Sequence, residues 1–125
     1  MSDRKAELER ILAAAAPGIA AHWDRCRKAG LKGMEPANTG AVDAAISAFF
    51  DRLKALPESS EDALVLAQMQ RLYVELDAIN DRVGHGLLET HERELLVTVF
   101  IDAAQACGVD PDDYDGEPGG EYRNF

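Results

Sequence analysis

The apolar residues of this chain recur at intervals of three and four positions along most of its length, which is the spacing of one face of an α-helix. The pattern is most regular over 42–56 and 65–83, where the intervals alternate between four and three. Two neighbouring stripes of this kind favour helices that pack nearly antiparallel in a bundle. The stripes are formed by Val42, Ile46, Phe49, Leu53 and Leu56, and by Val65, Met69, Leu72, Leu76, Ile79 and Val83.

Helical spacing also runs through 8–26 and through the apolar residues that follow Thr90. The first of these stretches contains Pro17-Gly18. Because proline removes a backbone donor and glycine weakens a helix interior, we predict two separate helices there rather than one kinked helix. Thr90 is the predicted N-cap of the last helix. The pattern therefore predicts an all-α protein, a compact bundle of about five helices in a domain over residues 1–109.

Capping and breaking residues mark the ends of the predicted helices. Ser, Thr and Asn side chains accept hydrogen bonds from the first free N–H groups of a helix, and glycine adopts the left-handed conformation that ends one. The predicted N-caps are Asn38 or Thr39 and then Ser59 or Ser60 for the two central helices, and the predicted stops are Gly30, Pro57, Gly84 and Gly108.

The segment 110–125 differs from the bundle in composition. It holds six acidic residues against one arginine, together with prolines and glycines, so we predict an irregular acidic C-terminal extension. It also holds three of the eight aromatic residues of the chain, namely Tyr114, Tyr122 and Phe125. These aromatic side chains either pack back on the bundle or contact a partner.

Length and composition narrow the class of protein. A chain of 125 residues fits one hydrophobic core, and its apolar runs are too short to span a membrane. The first ten residues are charged where a signal peptide requires an apolar run. Cys26 and Cys107 are too few for a disulfide framework, so we interpret both as small buried hydrophobes. We therefore expect a cytoplasmic protein, and its many alanines suggest a bacterial source.

The charge is unevenly distributed along the chain. Residues 1–30 carry six basic and four acidic side chains, whereas residues 31–125 carry seven basic and nineteen acidic ones. The net charge of −10 disfavours nucleic acid and anionic membranes as partners, because both repel an acidic surface. It favours a basic protein as the partner, unless the charge serves only to keep the protein in solution.

Two of the three histidines lie in the segment 84–94, and this corner is the first place to look for chemistry. His85 and His91 could bind a metal with Glu89 or Glu92, or share a proton with Glu89 or Asp81. However, Leu95 stands where a zinc-protease helix would carry its second histidine. The sequence contains no complete catalytic or metal motif, so we predict no catalytic residue and no cofactor.

Structural roles explain most of the same corner. Gly86 permits a turn, Leu87 and Leu88 anchor the corner to the core, and acidic residues at the start of the last helix suit its dipole. His22, the third histidine, is interpreted as a packing residue. A metal- or ligand-binding protein, or a small enzyme using His85 and His91, remains the alternative to a structural corner.

A protein-binding role uses more of the acidic surface than any of these readings. Acidic side chains speed the encounter with a basic partner, and tyrosines supply buried contact area. In size, charge and helix content the chain is similar in kind to bacterial immunity proteins, which neutralise basic nuclease toxins. We therefore predict a non-enzymatic interaction module, such as an immunity or inhibitor protein, with a self-associating bundle as a further alternative. The predicted contact residues are Glu75, Asp77, Asp81, His85, Glu89, Asp112, Asp113, Tyr114 and Tyr122.

Overall fold

The computed structural model describes residues 3–57, 61–84 and 86–125, and within these ranges it contains helices and no strand. The predicted all-α bundle is confirmed, but the predicted count of five helices is wrong, because the residues in these ranges form four α-helices. They are α1 (Asp3–Lys28), α2 (Pro36–Ala55), α3 (Asp62–Arg82) and α4 (Thr90–Ala106), followed by two short 3-10 turns at Pro111–Tyr114 and Gly120–Tyr122.

The predicted break at Pro17 is absent, and α1 is one helix of 26 residues. Proline at this position deprives the carbonyl of Ala13 of its helical donor. Ala13, Pro17 and Gly18 are all exposed, so water can satisfy that carbonyl. Leu8 and Ile19, on the opposite side, are buried. The missing hydrogen bond therefore costs little free energy, and a continuous helix gains more by burying apolar side chains on its other side.

The start of α2 also differs from the prediction. The helix begins at Pro36, after the N-cap Glu35, so Asn38 and Thr39 lie inside the first turn. Proline is already in a helical conformation and needs no donor at this position. The backbone N–H groups of Asn38 and Thr39 donate to the Glu35 carbonyl at 2.8 and 3.1 Å. The Asn38 amide instead ties the preceding loop down by donating to the Gly33 carbonyl.

The predicted capping residues of the last two helices do not fill the N-cap positions. The N-cap of α3 is Glu61, while the predicted Ser59 and Ser60 lie outside the described residues. The N-cap of α4 is Glu89, and Thr90 is the first helical residue. The predicted glycine stops are confirmed, since positive-φ glycines follow α1, α3 and α4.

The helices pack in two neighbouring pairs, α2 with α3 and α1 with α4, and α1 also contacts α2. Aromatic rings join the pairs in the core. Phe100 of α4 lies edge-on to Phe49 of α2 and to Tyr73 of α3, with ring centroids 5.9 Å apart in both cases. None of the helices in the described ranges is long and apolar enough to cross a lipid bilayer.

The C-terminal segment is packed against α3 along its length. At one end, the Tyr114 hydroxyl donates to Asp62 at 2.8 Å, in the first turn of α3. At the other end, the Asn124 backbone and side-chain amides donate to Asp77 at 3.2 and 3.0 Å. The segment therefore runs beside the helix for about 22 Å, at 1.5 Å of rise per residue.

Apolar contacts lie beneath these hydrogen bonds. The Phe125 ring meets Tyr73 edge-on at 6.0 Å, and Gly119 is buried against Met69. Gly119 has a φ of +75°, and a Cβ there would lie 3.0 Å from the Met69 Cβ. Of the two alternatives for the aromatic residues of this segment, packing on the bundle is the one observed.

Candidate functional site

Three side chains that can ligate a metal meet where α1 crosses α4. His22 Nε2 lies 2.6 Å from Glu92 Oε2, and Cys26 Sγ lies 3.4 Å from the same His22 nitrogen. One potential ligand atom from each of the three lies within 4.8 Å of the others. Cys26 and Glu92 are only 6% and 5% exposed, and His22 is partly buried. No other group of three such residues occurs in the parts of the chain that the structure describes.

The sequence brings the three together by simple helix geometry. His22 and Cys26 are four residues apart on α1, so both side chains leave the same face of the helix. Glu92 is the third residue of α4. Its Oε1 accepts the backbone N–H of Glu89 at 3.1 Å, which leaves Oε2 directed at His22. One carboxylate thus fixes the start of α4 and joins it to α1.

Hydrogen bonds from neighbouring residues of α1 fix the orientation of the helix about its own axis, so that His22 and Cys26 face α4. The Trp23 indole N–H donates to Asp43 of α2 at 3.0 Å. One turn further on, Arg27 donates to the Met34 carbonyl and to the Thr39 hydroxyl. These contacts leave little freedom for His22 and Cys26 to rotate away from Glu92.

The electrostatic environment keeps the Cys26 thiol neutral. Burial raises the pKa of Cys26, and the negative charge of Glu92 raises it further. Arg25 and Arg27 act in the opposite direction and offset only part of this effect. Without a bound cation, Cys26 is therefore a protonated thiol at neutral pH.

A cleft of about 460 Å³ lies beside the cluster, between the loop after α1 and the start of α4. Glu92 belongs to both the cluster and the cleft wall, so the cleft adjoins the cluster at this one side chain. The remaining cleft residues are Leu31, Lys32, Met34, Gly86, Glu89, Thr90 and His91.

Part of the predicted histidine corner lines this cleft. His91 is exposed at its rim, and within the described residues it joins no set of three metal ligands. His85, the other predicted candidate, lies outside the described residues. Glu89 is exposed and serves as the N-cap of α4. Leu87 and Leu88 are buried, as the sequence predicted.

The acidic residues predicted to contact a partner fall into two groups. Asp81, Asp112 and Asp113 are exposed. Glu75, by contrast, lies near Arg71 at 3.5 Å and near Arg52 at 3.9 Å.

The other predicted contact residues of this surface hold the C-terminal segment in place. Asp77 accepts both Asn124 bonds, and Tyr114 donates to Asp62. Tyr122 is half-buried against the core. Burial, the largest effect, raises the pKa of Asp77, while the Asn124 bonds oppose it.

Sequence reasoning missed the cluster of His22, Cys26 and Glu92. The only local signal was a histidine and a cysteine four residues apart on one helix face. The third member lies 70 residues beyond His22, and no spacing rule links positions so far apart. The contact depends on how α1 packs against α4, which the apolar pattern did not determine.

Comparisons of the chain with protein-family models, with curated proteins and with solved structures gave no match.

Proposed function

We propose that the protein is a non-enzymatic interaction module that binds a basic protein through the outer face of α3 and the acidic segment beside it. The observation that carries this proposal is the exposure of Leu64 and Val74, which are 46% and 57% exposed on that face. The exposed Ala67 and Ala78 lie between and after them at helical spacing. Large apolar side chains that are exposed to solvent on one helix face indicate a surface that binds another protein.

The chemistry of the partner follows from the acidic residues along this face. Because the segment 110–125 is packed down beside α3, its exposed Asp112 and Asp113 lie next to the start of the helix. Asp81 is exposed near the other end. Two basic residues lie on this face: Arg71, which is near Glu75 at 3.5 Å, and the exposed Arg82 in the last turn of α3. A partner with basic side chains around an apolar patch would complement this surface, with charge speeding the encounter and apolar burial holding the complex.

Within this proposal, inhibition of a basic enzyme or toxin, as immunity proteins perform it, is the specific role we favour. We place the function in the cytoplasm of a bacterial cell. The support for this location is that Cys26 and Cys107 are both unpaired and buried, as expected in a reducing compartment.

The test compares how substitutions of exposed apolar residues, on α3 and elsewhere, change the affinity for a captured partner. The wild-type protein is used to capture binding proteins from the cells that produce it, and the captured protein is then purified for affinity measurements. We expect a basic partner whose affinity falls as salt is raised. Val74→Asp and Leu64→Asp should each weaken binding by about 10-fold or more, as loss of a central interface contact does.

Leu31→Asp is the matched control, because Leu31 is 54% exposed but lies in the loop after α1. It should leave the affinity unchanged. A partner that binds equally well at high salt, or whose binding is lost with Leu31→Asp and kept with Val74→Asp, would contradict the proposal.

A further inference from the structure

We propose that His22, Cys26 and Glu92 form a zinc-binding site with three protein ligands and a fourth position open to the adjacent cleft. This inference is independent of the proposed interaction surface, which lies on α3. It assigns a role to three side chains that the interaction module does not use.

The donor atoms select the class of cation. An imidazole nitrogen, a thiolate sulfur and a carboxylate oxygen are the three ligand types that zinc accepts. Calcium and magnesium take oxygen ligands almost exclusively, so a site with one sulfur and one nitrogen disfavours them. A site of three protein ligands also matches the open type of zinc centre, in which a water or a small ligand completes the tetrahedron.

The distances are close to those of such a site. Zinc–nitrogen and zinc–sulfur bonds of about 2.0 and 2.3 Å place the two donors about 3.5 Å apart in a tetrahedron. The Cys26 Sγ to His22 Nε2 distance is 3.4 Å. The His22 to Glu92 contact of 2.6 Å is a direct hydrogen bond, and it must lengthen by roughly 0.7 Å to admit the ion. A small rotation of the Glu92 side chain achieves this change.

The Glu92 carboxylate is already oriented to bind a metal ion. Ligating carboxylates are themselves held by outer hydrogen bonds, which fix their direction. The Glu89 N–H supplies that bond to Oε1, at 3.1 Å, and so leaves Oε2 for the metal. The same bond links occupation of the site to the start of α4.

The thiol distinguishes a metal site from a plain ion pair. A buried histidine–glutamate pair is complete as a hydrogen bond and gains nothing from a cysteine at the same nitrogen. Here Cys26 is buried on the same helix face, in contact with that nitrogen. The net charge of −10 also favours the approach of a cation.

The cleft provides a route by which the zinc ion can enter and space for its fourth ligand. It has a volume of about 460 Å³, and Glu92 forms part of its wall. His91 and Glu89 lie at its rim, where they can contact a small ligand bound to the metal. His91 and Glu89 would then flank the entrance, while the three ligands lie behind them.

The test uses the full-length protein, stripped with a chelator and titrated with Co²⁺ and then with Zn²⁺. We expect one equivalent of Co²⁺ to bind with a thiolate-to-cobalt charge-transfer band, and Zn²⁺ to displace it. Cys26→Ala should abolish the band, and His22→Ala should weaken binding by more than the roughly 10- to 100-fold that loss of an outer-sphere partner causes. Mg²⁺ and Ca²⁺ should not compete.

Two controls separate this site from other thiols and histidines. Cys107→Ala removes the second buried cysteine and should keep the full spectrum, and His91→Ala should keep it also. Circular dichroism of each variant identifies those that fail to fold. The absence of a thiolate band in the wild-type protein would overturn the proposal without any variant, and so would a band that persists in Cys26→Ala. Val74→Asp should bind zinc normally, so failure of the partner proposal and failure of this one can be told apart.

Discussion

The side-chain carbonyl of Asn80 accepts a hydrogen bond from the backbone N–H of Leu88 at 2.9 Å, across the corner between α3 and α4. It accepts a second from the N–H of Leu87 at 3.2 Å. All three residues are buried. One amide near the end of α3 therefore satisfies two buried donors in the connection to α4, between the cleft residues Gly86 and Glu89.

Replacing Asn80 by alanine should lower the free energy of unfolding by about 2 to 3 kcal/mol, because two buried N–H groups lose their acceptor. Urea denaturation followed by circular dichroism measures this change. Gln70→Ala, at an exposed position of the same helix, should alter stability by less than about 0.5 kcal/mol. Equal effects of the two substitutions would show that the Asn80 bonds contribute little.

Tyr73→Phe should stabilise the protein. The Tyr73 hydroxyl is buried and has no hydrogen-bond partner among the described residues, and burial, the largest effect, raises its pKa. Removing the hydroxyl while keeping the ring contacts should raise the free energy of unfolding by about 1 kcal/mol. Tyr114→Phe is the matched comparison, because that hydroxyl donates to Asp62 and its loss should not stabilise. A decrease in stability for Tyr73→Phe would reveal a partner for the hydroxyl.

Gly119→Ala should loosen the C-terminal segment from α3. The new Cβ would lie 3.0 Å from the Met69 Cβ, at a φ of +75°. We expect a loss of about 2 to 3 kcal/mol, from the backbone conformation and the clash together. Gly116→Ala carries the same kind of backbone strain at a φ of +84° but meets nothing within 4 Å, so it should cost only about 1 to 2 kcal/mol. Hydrogen exchange at Asn124 would show whether the segment has detached.

Asp77 gives a pH dependence of definite sign. Its folded pKa is raised by burial, against the opposing bonds from Asn124. Its contribution to stability is therefore fully present below its unfolded pKa of about 4 and is lost as pH rises through its folded pKa. We expect the stability of the wild type relative to Asp77→Asn to increase as pH falls from about 7 to about 3.

For Glu7 we expect stability to change with pH in the opposite direction, in the same experiment. The hydrogen bond from Arg10 is the largest effect and lowers the pKa of Glu7. Its contribution is present above the unfolded pKa and is lost as pH falls through the folded pKa. The stability of the wild type relative to Glu7→Gln should therefore decrease over the range in which the difference for Asp77→Asn increases. If the two differences have the same sign, the assignment for the residue whose difference runs against its prediction is wrong.

The sequence predicted the elements whose cause is local. The apolar stripes of α2 and α3 depend on helical spacing alone, and the glycine stop before Val109 depends on backbone conformation. There, Val109 N–H donates to the Ala104 carbonyl and Gly108 N–H to Gln105, which closes α4 in the manner expected of glycine.

The features that the sequence did not reveal depend on tertiary context. Pro17 does not interrupt α1, because its position on the outer surface makes the missing hydrogen bond harmless. The sequence predicts Glu92 in the first turn of the last helix and as a possible metal ligand with His85 and His91, but nothing near it in sequence points to His22. The aromatic residues of the C-terminal segment left two alternatives open, and only the position of Tyr73 under Phe125 decided between them.

The pairing of α1 with α4 has a consequence for the order in which the chain folds. The α2–α3 hairpin joins neighbours in sequence and can close early, whereas the contact between His22 and Glu92 spans 70 residues. On the ribosome, the side of α1 that packs on α4 stays uncovered until α4 has emerged, although α2 can already contact Trp23. We expect a nascent chain halted before residue 90 to expose Cys26 and the rest of the α4-facing side of α1, and so to be the species that chaperones recognise.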